Sequence, residues 1–546
     1  MSPRNNVSCL GPVALAVMLG LGAGLSQAAA PQSAALGPPA PQASAKGQSD
    51  ARVERLIAQL GDRDYAVRQQ AQEELSRIGF AAYEALLAAS SCPDLEIAAR
   101  AKYLLRVLRA SVASEEAPAR VKELLDGYDL RSAEARMQVV RQLALFSDLG
   151  GMAAVCRLVC LEESPLVSKC AAAAILNGLP PDAGSQARLA KILKQHLAGC
   201  RRTGAKWLLT YLEVREDPRK NLEAWARLVE EEHSVWERSP KESGPAVVVP
   251  LLYVLAEAQA RLGQPAQADA TARRARELAP GIDDARLQAR LEVARSLRRR
   301  GRFDWAEQEY RQLAASNQET AAFWGYQELS EMFHDRGAHR KAADACRQAV
   351  DALKERDSPW GDLADVPRTA RARMHYFLAC HYAEQGDVTR QGQSLTSARQ
   401  ADPGEIDTLI ACYHLPNQGA EFRKTVVAAI RREADVLRRQ IAEMPDSPEG
   451  YNQFAWLVGN TEGNLDEALR CSQKSLELSP NTGSYLDTLA HVYFTKGDLE
   501  AAVRHQTRAA ELEPHSGLIT RKLEVFRAAL EAKNKAASAE KGKPAA

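Results

Sequence analysis

The groups best suited to chemistry here are cysteines and histidines, ten of each in a chain of 546 residues. Metal binding and nucleophilic catalysis need such groups at short, fixed spacings, so the spacing decides. Cysteine lies beside histidine at Cys380-His381 and at Cys412-Tyr413-His414. Neither place forms a short ligand pair of a known kind, and CxxC and CxxCH are both absent. His334 and His339 are five apart, and His375 and His381 six apart, which does not bring either pair to one face of a single helix. These histidines are expected at the surface or against a partner. Cysteines 92, 156, 160, 170, 200, 346, 380, 412 and 471 are expected as small buried residues in helix seams. HExxH, GxSxG and GxxxxGK do not occur. The sequence therefore predicts no catalytic residues, no metal site, no cofactor and no enzyme. The alternative is an enzyme or ligand carrier whose unrecognised site lies in 111–246 or 404–446.

What positions the remaining polar groups is a helical scaffold. Charged residues make up 26% of the chain and nearly cancel, to a formal net charge of +1. That balance gives no global pull toward nucleic acid or anionic lipid. Aromatics are 6%, and strong helix formers dominate. The length is too great for one compact core and suits a repeat array.

The N-terminus has the form of an export signal over 1–28. Arg4 precedes an uncharged, largely apolar run from Leu10 to Leu25, and Ser26-Gln27-Ala28 offers a cleavage site. The run is short for a bilayer span of ~20 residues. Residues 29–50, rich in Pro, Ala, Ser and Gly, are expected to be a flexible linker, and 531–546 a disordered tail. No further segment is apolar enough for a membrane span.

The stretch Tyr485–Pro514 reads YLDTLAHVYFTKGDLEAAVRHQTRAAELEP. Ala490 and Ala502 would let two helices approach closely, and Leu489 and Tyr493 would fill the seam between them. Gly497 suits the left-handed residue of the joining turn, and Pro514 stops the second helix. The pattern recurs. Pro480 lies 34 residues before Pro514, behind Phe454, Ala455, Gly463, Ala468 and Leu478. Further copies are carried by Leu255, Ala256, Gly263 and Ala268; by Ala294, Gly301 and Ala306; by Leu329, Gly337 and Ala342; and by Leu378, Ala379, Gly386 and Ala398. These positions resemble the tetratricopeptide repeat, a helix–turn–helix unit, over blocks 247–403 and 447–530, the second ending in a capping helix. Residues 404–446 do not match. EFRKTVVAAIRREADVLRRQIAEM there has Val426, Ile430, Leu437 and Ile441 at helical spacing and predicts one long helix bridging the blocks.

The N-terminal third has another pattern. Asp64 is placed to cap a helix carrying Val67, Ala71 and Leu75, and Asp94 one carrying Ile97, Ala101 and Leu105. Ser164-Pro165 opens a third with Val167, Ala171 and Ile175. With Asp64, Val67 and Arg68, this resembles the HEAT-type repeat over 51–200, and 201–246 is expected to be a transitional helix pair. The expected fold is an all-α helical-repeat solenoid, HEAT-like units followed by tetratricopeptide blocks.

The tetratricopeptide resemblance implies a concave surface, lined by first helices, that binds peptide segments of other proteins. Asn452, Trp456, Asp487 and His491 fall on such helices, and Arg521 and Lys522 on the capping helix. The basic pair would hold a carboxylate. Asp487 and His491 stand where the family's usual carboxylate clamp has Asn or Lys, so that clamp is not reproduced. The reading is an exported, non-enzymatic scaffold of the bacterial envelope, periplasmic or extracellular, with protein partners and no nucleic acid.

Overall fold

The computed structural model describes residues 45–110, 117–145, 149–278, 284–353 and 366–541. The expected signal and linker residues 29–44 lie outside them. Among the described residues the regular structure is entirely helical: the chain is an all-α helical-repeat solenoid.

The N-terminal part comprises α1 (Ala45–Gln59), α2 (Tyr65–Ile78), α3 (Tyr83–Ala89), α4 (Leu95–Ala110), α5 (Ala119–Leu125), α6 (Ala133–Leu145), α7 (Leu149–Leu161), α8 (Pro165–Asn177) and α9 (Ala183–Leu197). The predicted caps are all present. Asp64 accepts from the Ala66 amide at 2.8 Å, Asp94 from Glu96 at 2.9 Å, and Ser164 from Val167 at 3.4 Å. Each satisfies an amide that the first helical turn leaves unpaired. The expected transitional pair is α10 (Thr203–Glu216) and α11 (Pro218–Arg238). Trp225 of this pair is fully buried and donates to the Leu251 carbonyl of the next helix at 3.1 Å. One apolar core runs from Val53 to Ala345, so packing is continuous across 200 and 246.

From there the chain continues as helix pairs: α12 (Pro245–Arg261) with α13 (Pro265–Glu277), α14 (Asp284–Arg299) with α15 (Phe303–Ala314), α16 (Glu319–Asp335) with α17 (His339–Ala352), and α18 (Val366–Glu384) with α19 (Val388–Ala401). Then come α20 (Ile406–Tyr413), α21 (Ala420–Glu443), α22 (Pro448–Gly459), α23 (Leu465–Leu478), α24 (Gly483–Thr495), α25 (Leu499–Leu512) and α26 (Gly517–Lys541). The seam predicted for the last pair is observed. Ala490 and Ala502 have no exposed surface, and the Tyr493 ring stacks on His505 with centroids 5.3 Å apart. Gly497 has φ 82°, a conformation costly for any residue with a Cβ, and Gly263, Gly301, Gly337 and Gly386 repeat it in the equivalent turns.

Three expected boundaries are corrected. Residues 404–446 do not form a single bridging helix. The long helix is present as α21, but α20 precedes it, and α20 packs on both α18 and α22 as the first helix of a pair does. The break falls at His414–Gly419, where Pro416 lacks an amide hydrogen and Asn417 takes φ 54°. The two blocks are therefore one uninterrupted stack. At the N-terminus, residues 45–50 of the expected linker already belong to α1, because Val53, Leu56 and Leu60 anchor a helix that propagates cheaply backward. At the C-terminus, α26 runs to Lys541, past the tail boundary at 531. Its Ala, Glu and Lys residues favour helix, and Ile519, Leu523 and Phe526 pin its start.

The first helices also pack on one another, α12 on α14, α14 on α16, α20 on α22, α22 on α24 and α24 on α26. They therefore occupy the shorter, inner track of the curve. The curvature is tight enough for the array to meet itself. Asp335 at the end of α16 accepts from the Ser516 hydroxyl at 2.9 Å, the Leu518 amide at 3.1 Å and the Gly517 amide at 3.3 Å. It thus caps α26 from 181 residues earlier in the chain. Arg521 donates to the Asp335 carbonyl at 3.0 Å. A Cβ at Gly517 would sit 2.3 Å from that carbonyl oxygen, so only glycine fits there. His515 packs edge-on against Phe303, beside the α14–α15 turn.

Candidate functional site

The inner helices carry two rows of side chains at the repeat interval. Asn452, Asp487 and Lys522 are successive at 35 residues, and so are Trp456, His491 and Phe526. Equal register on neighbouring helices brings each row together. The Trp456 and His491 rings are 4.8 Å apart, and the His491 and Phe526 rings 5.2 Å, both edge-to-face. Lys522 Nζ lies 6.0 Å from the Phe526 centroid. Asp487 accepts from the Gln506 amide at 2.5 Å, and His491 Nδ1 is 2.8 Å from Asn460 Oδ1. Burial pushes the Asp487 carboxyl up to about 6, with Gln506 and Lys522 opposing. Burial, reinforced by Lys522, holds the His491 imidazole well below its usual range and so neutral.

The site continues onto α20, α18 and α16. The Trp456 indole donates to Asp407 Oδ1 at 2.9 Å. Asp407 Oδ2 accepts from Arg373 at 3.1 Å, and the same guanidinium forks onto both oxygens of Glu331 at 2.7 and 2.8 Å and reaches Glu405 at 3.3 Å. One cation thus serves three carboxylates. The Glu405 carboxyl is pushed up to about 7 by burial and by its neighbour Asp407. Burial also works against the Asp407 charge, but Arg373 and the Trp456 donor outweigh it and hold its carboxyl below the usual range. Glu513, whose oxygen accepts from the Ser484 amide at 3.1 Å, is likewise pushed up to about 7 by burial and by Asp487. The inner face is therefore rich in carboxyl groups, and burial pushes three of them, Glu405, Asp487 and Glu513, upward toward neutrality.

Of the six residues expected from sequence, Trp456, Asp487, His491 and Lys522 meet in one cluster. Asn452 lies one turn before Trp456, and its Oδ1 is shut off from solvent with no hydrogen-bond partner among the described residues. One of the Arg521 guanidinium nitrogens donates to the Asp335 carbonyl, so the side chain is partly engaged within the fold. Sequence reading missed Phe526, although a step of 35 residues from His491 reaches it. It also missed Arg373, which a step of 34 residues joins to Asp407.

The histidines are not placed as expected either. His334 is buried, 7% exposed, against Phe377 at 4.7 Å between ring centroids. Its Nδ1 lies 3.0 Å from Nδ1 of His339, with the two residues on successive helices across the α16–α17 turn. Burial, with Arg373 adding, lowers the His334 imidazole to about 3.

The segments set aside for an unrecognised reactive site hold buried ions of another kind. Lys169 Nζ lies 2.8 Å from Glu232, at 8% and 2% side-chain exposure. Glu162 accepts from Tyr128 at 2.8 Å and from Arg136 at 2.6 Å. These close on themselves. A depression of about 560 Å³ beside α19 and α21 is lined by Gln393, Ser397, Gln418 and Phe422, with no histidine or cysteine.

Residues 484–516, the α24–α25 pair and its following turn, match the family model described as tetratricopeptide repeat. Among solved structures the chain is similar to TTC0263, a thermophilic TPR protein in Thermus thermophilus, at 15% identity over 37% of this chain and 98% of that one, with a TM-score of 0.26. It is similar to YrrB, titled a TPR protein with an unusual peptide-binding site, at 18% identity over 36% and 91%, TM-score 0.17. A third is the P58(IPK) TPR domain, at 13% identity over 60% and 99%, TM-score 0.18. No curated protein matches the chain. The family match thus covers the last full helix pair, one of the copies that carry the tetratricopeptide resemblance.

Proposed function

We propose that the chain is an exported, non-enzymatic scaffold whose inner helices bind an extended segment of another protein. Its N-terminal HEAT-like stack serves as the rigid base. The observation that carries this reading is the pair of rows on α22, α24 and α26. Asn452, Asp487 and Lys522 supply an acceptor, a carboxyl group and a cation at one register, beside the aromatic row one turn on. Main-chain groups of an extended peptide need such regularly spaced partners, and side-chain specificity comes from the adjoining aromatics. Asn452 Oδ1, buried without a partner, would accept a peptide N–H, and Lys522 would meet a carboxylate.

Export rests on the 1–28 segment, and among the described residues no helix is long and apolar enough to cross a membrane. Envelope partners follow from that location. The test is crosslinking and affinity capture from the protein's own envelope fraction, with wild type beside Asn452→Ala and Lys522→Glu. A protein captured by wild type and lost from both variants is the expected result. Equal capture by all three would overturn the assignment to this face.

A further inference from the structure

The turn between α16 and α17 brings together residues that spacing along one helix would keep apart. His334 ends the inner helix and His339 starts the outer one, and Cys380 approaches from α18. One ring nitrogen from each histidine and the Cys380 Sγ all lie within 4.8 Å of one another, and the two Nδ1 atoms are 3.0 Å apart. Tetrahedral zinc with its usual bond lengths separates two nitrogen ligands by ~3.3 Å and nitrogen from sulfur by ~3.6 Å. The nitrogens are nearly at that separation, and the Cys380 sulfur would have to draw closer on binding.

The surroundings fit a metal better than a chance contact. Nε2 of His339 faces Glu384 Oε1 at 3.1 Å. A carboxylate on the far nitrogen fixes the tautomer that presents Nδ1 as a lone pair, and this is the usual outer support of a metal-bound histidine. The His334 ring is held in place by Tyr376 and Phe377, at 5.6 and 4.7 Å between centroids. Two imidazoles and a thiolate favour a borderline-soft ion over magnesium or calcium. Arg521 and Arg373 are the nearby cations. Arg373 is neutralised by Glu331, Glu405 and Asp407, while Arg521 is drawn to the Asp335 carbonyl. Binding would replace the Cys380 thiol proton, leaving a single negative charge to offset the ion.

We propose that His334, His339 and Cys380 bind one zinc-class divalent ion, with water at the fourth position. The ion would join the α16–α17 turn to α18, next to the aspartate that receives α26. This departs from the sequence expectation of no metal, which rested on a spacing of five along one helix. The two histidines are on two helices.

The test uses the full chain, stripped with a chelator and titrated with Co²⁺ alone, then with Zn²⁺ in competition. The expected result is one equivalent of Co²⁺ with a thiolate-to-cobalt charge-transfer band, displaced by Zn²⁺. Cys380→Ser should abolish the band, and Cys471→Ser should leave it intact. His339→Gln, checked for a native circular dichroism spectrum, should abolish stoichiometric binding. Glu384→Gln should weaken binding ~10–100-fold while keeping the band. No band in the wild type, or a band unchanged in Cys380→Ser, would overturn the proposal and leave the Nδ1–Nδ1 approach as a hydrogen bond between two histidines.

Discussion

Both halves of the molecule bury charge, but in opposite ways. In the N-terminal stack buried charge is matched locally, Lys169 by Glu232 and Glu162 by Arg136 and Tyr128, so each group is closed on itself. On the inner face of the C-terminal pairs Arg373 is shared by Glu331, Glu405 and Asp407, and the chain of contacts continues through Trp456 to His491 and Asp487. The first arrangement fastens helices. The second gathers several carboxyls around one cation, with burial pushing Glu405 up to about 7 and Asp487 up to about 6. The same helix-pair construction thus places locally matched ions in one region and a shared, carboxyl-rich network in the other, where the proposed binding face lies.

Removing one member of a matched pair should cost most. Lys169→Ala leaves Glu232 buried without its cation and should destabilise the fold by ~3–5 kcal/mol, read by denaturant unfolding. Capture of partners at permissive temperature should be unchanged. If Lys169→Ala proved neutral, the pair would not be a fastener and the contrast would collapse.

The next effect is one of pH and has the opposite sign. The Glu513 carboxyl is raised in the folded chain to about 7, above its unfolded value, so the fold binds the extra proton between the two. Its contribution is fully favourable below the unfolded value and is lost as pH rises through about 7. Glu513→Gln keeps the acceptor for the Ser484 amide and removes the penalty. The variant should gain about 2 kcal/mol over wild type at pH 8 and nothing at pH 4. Melting curves at the two pH values decide this. A difference independent of pH would mean that Glu513 is ionised in the fold without strain.

Smaller losses should follow at the closing contact and in the aromatic row. Asp335→Ala removes the cap of α26 and should cost roughly 1–2 kcal/mol. The loss should appear as faster hydrogen exchange in α26 with no change in α1–α9. Trp456→Phe keeps the ring and loses the donor to Asp407, for about 1 kcal/mol. Its larger consequence should be weaker partner capture, which sharpens the distinction between fastening and receptive groups.

Much of the fold was legible because the repeat writes its own geometry. Alanine at 490 and 502, glycine at 497 and aspartate caps at 64 and 94 each serve a purely local need, so residue type alone signals it. The α20–α21 pair was not, since an eight-residue first helix is too short to show a period and its turn uses Asn417 where the other units use glycine. The candidate site was legible where register extends along the chain, as from Trp456 to His491. It was obscure where it depends on turns and closure. The distance between His334 and His339 is set by the path of a turn, and the fate of Arg521 by a neighbour far away in sequence.

The cap that Asp335 lends to α26 also fixes the number of units between them. An open solenoid can gain or lose a unit at its end and keep its shape. Here the insertion or deletion of one helix pair between 337 and 512 would carry Gly517 past its receptor, leaving α26 uncapped and Asp335 facing solvent. Copy number in this stretch is therefore a structural constant, enforced by a single carboxylate that measures the length of the arc.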